Sequence, residues 1–154
     1  MPNRRQFLLA SAAGSLAPIA FGQRLLAMAA TAAPVITVYK DPNCGCCAKW
    51  VKHLSSSGFV TMVHDSSDMD GIKTNMRVPT DLQSCHTAVV ERYVIEGHVP
   101  AADIKKLLAS KEAIQGLAAP GMPMGSPGME GATKDRYDVI AFTTDGKTRV
   151  YAKH

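Results

Sequence analysis

The alternation of apolar and polar residues divides the chain from about position 33 onward into short elements of two periods. Val35-Ile36-Thr37-Val38-Tyr39-Lys40 is rich in β-branched residues and predicts a first strand. Asp41-Pro42-Asn43 breaks it. From Cys46 to Leu54 the apolar positions Trp50, Val51 and Leu54 follow a helical period, with Gly58 as the stop. Phe59 to Asp65 predicts a second strand, and Ser67 is placed to cap a short helix over Asp68 to Met76. After Pro79, Thr80 to His86 reads as a turn or short helical segment. Thr87–Val90 and Tyr93–Glu96 read as strand, either a hairpin or one bulged strand. Gly97-His98-Val99-Pro100 predicts a turn, with Pro100 opening a helix that carries Ile104, Leu107 and Leu108 on one face. Ala119 to Glu130 holds Pro120, Pro123 and Pro127 among Gly and Met, which excludes regular helix or central strand. Tyr137–Phe142 and Thr148–Ala152, joined through Asp145-Gly146, predict a terminal β-hairpin.

Strand, cysteine loop, helix, strand, helix is the opening of a thioredoxin-like domain. The expected fold is therefore α/β: a thioredoxin-like sandwich with a mixed central sheet flanked by helices and closed by the hairpin. That domain is expected over 33–154, without internal repeat or second domain. Residues 1–32 read differently. Arg4-Arg5 precede Phe7-Leu8-Leu9 and a weakly apolar, Ala-rich stretch, and small residues offer cleavage near Ala29 or Ala32. This is the order of an export signal, and the paired arginines resemble the twin-arginine type. The apolar stretch, interrupted by Gly14 and Pro18, is shorter than the roughly 20 residues of a spanning helix. The expectation is a periplasmic protein, free of the membrane after cleavage.

Removal of the signal also changes the charge. The full chain of 154 residues carries 17 basic and 13 acidic side chains, but Arg4, Arg5 and Arg24 leave with the signal. The remainder is nearly neutral and has no Lys/Arg cluster, so nucleic acid and anionic membranes are poor partners.

All four cysteines lie after the signal, three of them within four residues: Cys44, Cys46 and Cys47, followed by Cys85. An exported protein with an even cysteine count ordinarily has a disulfide framework. A bridge between such near neighbours closes a tiny loop and removes little unfolded-state entropy, which argues for chemistry over stapling. Cys44 and Cys47 form a C-x-x-C pair at a strand-to-helix junction, the geometry of thiol redox sites. Cys46 adds a sulfur that a disulfide exchanger does not need. A helix start favours thiolate, and Gly45 permits the tight turn that converges the sulfurs. Thiolate and thioether donors select soft ions, Cu(I) first and Zn(II) next. Further donors are Cys85, the loop methionines Met122, Met124 and Met129, and the imidazoles of His98 and His86. Met62, Met69 and Met76 read as core fillers, His53 as solvent-facing, and His64 and His154 as without a role.

Four motifs in order carry a resemblance: Asn-Cys-Gly-Cys-Cys at Asn43 to Cys47, Leu-Gln-Ser-Cys-His-Thr-Ala at Leu82 to Ala88, Glu-Gly-His-Val-Pro at Glu96 to Pro100, and the Gly-Met-Pro loop at Pro120 to Glu130. Together they resemble the CopG-like family of periplasmic copper-resistance proteins, from Val35 to near the C-terminus. The resemblance implies a thioredoxin-like fold, copper held by Cys44, Cys46, Cys47 and Cys85, and a role in copper redox chemistry beside other periplasmic copper-handling proteins.

The sequence is compatible with three functions. One is a periplasmic protein with one or more Cu(I) ions in a thiolate cluster, either sequestering them or cycling them between oxidation states as a copper oxidoreductase. Another is a thiol-disulfide oxidoreductase using Cys44 and Cys47. The third is a disulfide-stabilised module that binds a protein partner. The export reading has a direct check: an Arg4→Lys, Arg5→Lys variant is expected to stay in the cytoplasm on cell fractionation, and normal export of that variant would remove the twin-arginine route.

Overall fold

A computed structural model describes residues 32–154, so the expected export signal lies outside the described residues. Seven strands form one mixed sheet: β1 (Val35–Lys40), β2 (Val60–Asp65), β3 (His86–Val90), β4 (Tyr93–Gly97), β5 (Gly116–Ala119), β6 (Asp138–Phe142) and β7 (Thr148–Lys153). Three helices accompany them: α1 (Gly45–Ser56), α2 (Met69–Asn75) and α3 (Ala101–Ser110). The strand order is β2-β1-β3-β4-β5-β6-β7. β1 and β2 are parallel across the α1 crossover, and β4 and β5 are parallel across α3. All other neighbours are antiparallel. Parallel neighbours need such a crossover, which is why a helix follows β1 and β4 but a two-residue turn joins β3 to β4.

The core lies where α1 and α3 cover one face of the sheet. Trp50 and Leu54 of α1 and Ile104 and Leu107 of α3 pack on Ile36, Val38, Ala88, Ile95 and Leu117, all fully buried. Each buried Val, Leu or Ile among them contributes roughly 1.5–3 kcal/mol relative to exposure. Trp50 also satisfies its indole N–H, which donates to the Val99 carbonyl at 2.9 Å. A smaller cluster on the opposite face joins Val78, Leu82, Val94, Ala118 and Phe142, with Met76 against it.

Several local expectations are corrected. The α2 cap is Asp68, not Ser67: its carboxylate accepts the Gly71 N–H at 2.9 Å. β3 and β4 form a hairpin rather than one bulged strand. β5 has no counterpart in the sequence reading, because Gly-Leu-Ala-Ala carries no β-branched signal; burial between β4 and β6 makes it a strand. Met62 is an exposed edge residue rather than a core filler. His53 is half-buried, and its Nε2 accepts the Ala101 N–H at the start of α3. His154 pairs with Asp103 at 2.7 Å instead of standing idle.

Register decides where chemistry can occur. Lys40 stands opposite His86, Thr87 opposite Glu96, and Gly97 opposite Ala119. The C-terminal ends of β1, β4 and β5 and the start of β3 therefore meet at one end of the sheet. The segments that continue from them carry the CxCC motif, Cys85, His98 and the Met loop.

Candidate metal centre

The cysteine loop is built by a tight turn. The Asp41 carboxylate accepts the Asn43 N–H at 2.7 Å, and its carbonyl accepts the Cys44 N–H at 3.1 Å. This turn delivers Cys44 as the N-cap of α1, where its sulfur accepts the Cys47 N–H at 3.4 Å. Cys44 and Cys47, the C-x-x-C pair of the motif, are joined in a disulfide. One helical turn separates the two residues, and their Cα atoms stand 5.4 Å apart, within the normal span of a bridge. Loop entropy argued against a bridge because it measures stability gained, whereas spacing on the helix decides proximity.

Cys46 and Cys85 are free thiols, half-buried. The Cys46 sulfur is 3.5 Å from that of Cys44 and 4.0 Å from that of Cys85. Cys85 Sγ in turn lies 3.0 Å from His98 Nε2 and 3.3 Å from His86 Nδ1. Two donor groups result, Cys44/Cys46/Cys47/Cys85 and Cys85/His86/His98, each with its donor atoms within 4.8 Å of one another. Cys85 belongs to both.

The imidazoles are fixed from behind. His98 Nδ1 is 2.7 Å from the Pro127 carbonyl, which has only lone pairs to offer, so Nδ1 carries the proton and Nε2 presents a lone pair toward Cys85. His86 is fully buried against the Trp50 ring at 4.2 Å, and its Nε2 has no hydrogen-bond partner. Burial lowers the proton affinity of His86, and nearby His98 and Lys73 lower it further. His98 is likewise lowered by burial, against opposing pulls from the Pro127 carbonyl and Glu130. Burial and the neighbouring Cys46 push the Cys85 thiol up to about 12, so in the metal-free protein it stays protonated. A cation entering here must displace that proton.

The Met loop crosses this end of the sheet. Gly128, at φ +90, lies so close to the start of α1 that a Cβ there would stand 2.7 Å from the Cys46 carbonyl and 2.9 Å from the Trp50 nitrogen. Ser84 beside Cys85 donates to the Gly121 carbonyl. The loop thus reaches the site through its backbone at Gly121, Pro127 and Gly128. Its methionines are less engaged. Met122 is exposed, Met129 is half-buried, and the half-buried Met124 places its methyl against Gly131.

Sequence reasoning missed a buried polar network beneath the site. Glu96 is fully buried and pairs with Lys73 of α2 at 2.5 Å. Burial raises the Glu96 carboxyl above the usual range, while Lys73, Thr87 and the Ser84 N–H pull it back. The available signal was a lone carboxylate directly after the apolar run Tyr93-Val94-Ile95, within the same expected strand.

Two solved structures, named copper resistance protein CopG form 2 and form 1, are each 46% identical to this chain. They align with TM-scores of 0.76 and 0.74, covering 79% and 78% of this chain and 98% and 96% of their own. The chain belongs to the CopG family. Residues 82–129 also match the family described as protein of unknown function, DUF411. That match takes in Cys85, His98 and the Met loop of this CopG relative, but not the CxCC motif. No curated protein matches the chain.

Two expectations follow. Histidines held neutral in the fold leave the unfolded chain with more bound protons below about pH 6.5, so stability is full above that value and falls on acidification. The urea midpoint of the metal-free protein should drop between pH 7 and pH 5, and His86→Gln should flatten the slope; an unchanged slope would refute a neutral buried His86. Separately, Gly128→Ala should cost about 1–3 kcal/mol, through the strained positive φ and the clash with α1. Hydrogen exchange should then quicken over the Met loop while the core strands keep their protection.

Proposed function

We propose that this protein is an exported, periplasmic copper-binding protein of a copper-resistance system, holding Cu(I) in a thiolate cluster of Cys44, Cys46, Cys47 and Cys85. The observation that carries this reading is the convergence of four sulfurs within 4.8 Å of one another in a chain of the CopG family. The donor set suits a soft cation, Cu(I) ahead of Zn(II), and His98 and His86 extend it on the Cys85 side. The domain reads as thioredoxin-like, closed by a β6–β7 hairpin. Support comes from the order β2-β1-β3-β4, with β1 parallel to β2 and antiparallel to β3, and from the C-x-x-C pair at the start of α1. Export by the twin-arginine route belongs to the same reading, on Arg4-Arg5.

The disulfide sets a condition. Full use of the four sulfurs requires an external dithiol to reduce the Cys44–Cys47 bond, delivering two electrons and two protons and leaving as a disulfide itself. With the bridge closed, Cys46, Cys85 and the two imidazoles remain as donors. The bridge also favours a second reading, disulfide exchange, in which Cys44 and Cys47 cycle and Cys46 or Cys85 resolves.

One titration separates the two. Anaerobic, fully reduced protein is expected to take up more than one Cu(I) against a strong competing chelator, and Cys46→Ser should lower that number sharply. Full loading of Cys46→Ser, together with disulfide reduction of insulin that Cys44→Ser abolishes, would favour exchange instead.

A further inference from the structure

From its geometry we infer that Glu96 is a positioning residue: its buried carboxylate brackets Cys85 and His86 by holding the residues on either side, and so sets the donor geometry of the candidate metal centre. This deepens the copper-binding reading and rests on it. One carboxylate oxygen accepts the Ser84 N–H at 2.7 Å, immediately before Cys85. The other accepts the Thr87 hydroxyl at 2.7 Å, immediately after His86. The two donor residues are thus the two positions between the pins. Lys73 completes the bracket, reaching Glu96 at 2.5 Å and Thr87 Oγ1 at 3.0 Å from α2. Glu96 is also two residues before His98 on the same chain, so it ties both Cys85 and His98 to one rigid strand end. Gly97 between them admits no side chain: a Cβ would stand 2.6 Å from Ser84 and from the Ala119 carbonyl.

Stability alone is a weak reason for this arrangement. A buried ion pair replaced by apolar groups of similar volume is often as stable or more so, because two charges no longer have to be desolvated. Groups behind metal ligands, by contrast, typically change metal affinity by about ten- to hundredfold when lost.

The test is the paired Lys73→Met, Glu96→Leu variant, with Thr87→Val as the milder version that keeps the pair. A Leu54→Ala variant, which weakens the core away from the bracket, provides the control. Two readouts are compared. The first is Cu(I) affinity of the reduced protein by chelator competition. The second, in metal-free protein carrying Cys44→Ser, Cys46→Ser and Cys47→Ser, is the rate at which iodoacetamide alkylates Cys85. The expected result is Cu(I) affinity about ten- to hundredfold lower and faster alkylation in the bracket variants, with neither change in Leu54→Ala. Unchanged affinity and alkylation in both bracket variants, or equal changes in Leu54→Ala, would overturn the inference. If the parent protein takes up no Cu(I), the copper reading fails, while the alkylation comparison still decides the bracket.

Discussion

The constraint on which the site depends is strand register at one end of the sheet. Lys40 opposite His86, Thr87 opposite Glu96 and Gly97 opposite Ala119 bring three separate stretches of chain to the start of α1. A slip of one residue in β3 would turn His86 and Ala88 out of the main core and carry Thr87 into it. The apolar face prevents that slip, because Ile36, Val38, Ala88 and Ile95 are fully buried under α1 and α3. Packing of hydrocarbon thereby fixes the spacing of sulfur and nitrogen.

Polar groups then refine what packing places. Pro127 fixes the proton of His98, Trp50 crowds His86, and Glu96 holds the Ser84 N–H and the Thr87 hydroxyl on either side of Cys85 and His86. Each is a partner of a donor, and each comes from a different element. The proton affinities follow from the same burial: both imidazoles stay neutral and Cys85 keeps its proton. Three of the donors, Cys85, His86 and His98, are thus uncharged in the metal-free protein, which keeps the cost of burying them low.

Much of this was legible in the chain. β1, α1, β2 and the α3 start were marked by β-branched runs, by helical spacing through Trp50 and Leu54, and by Pro100. The cysteine cluster and His98 were singled out from residue type and spacing. What stayed hidden depended on partners remote in sequence. β5 is a strand only because β4 and β6 flank it, and His53 lost its solvent-facing character to an N–H 48 residues away. Glu96 likewise carries no local motif that reveals Ser84, Thr87 and Lys73 around it, whereas the Cys44–Cys47 bridge is local, and the C-x-x-C spacing already offered it as a redox pair.

The contact between His98 and the Met loop has a consequence for sequence drift. The acceptor at Pro127 is a main-chain carbonyl, so another residue that preserves the path of the backbone supplies the same oxygen. Gly128 has no such latitude, since any side chain there meets α1. Over long divergence the loop can exchange many of its side chains and still orient the imidazole, provided Gly128 is kept.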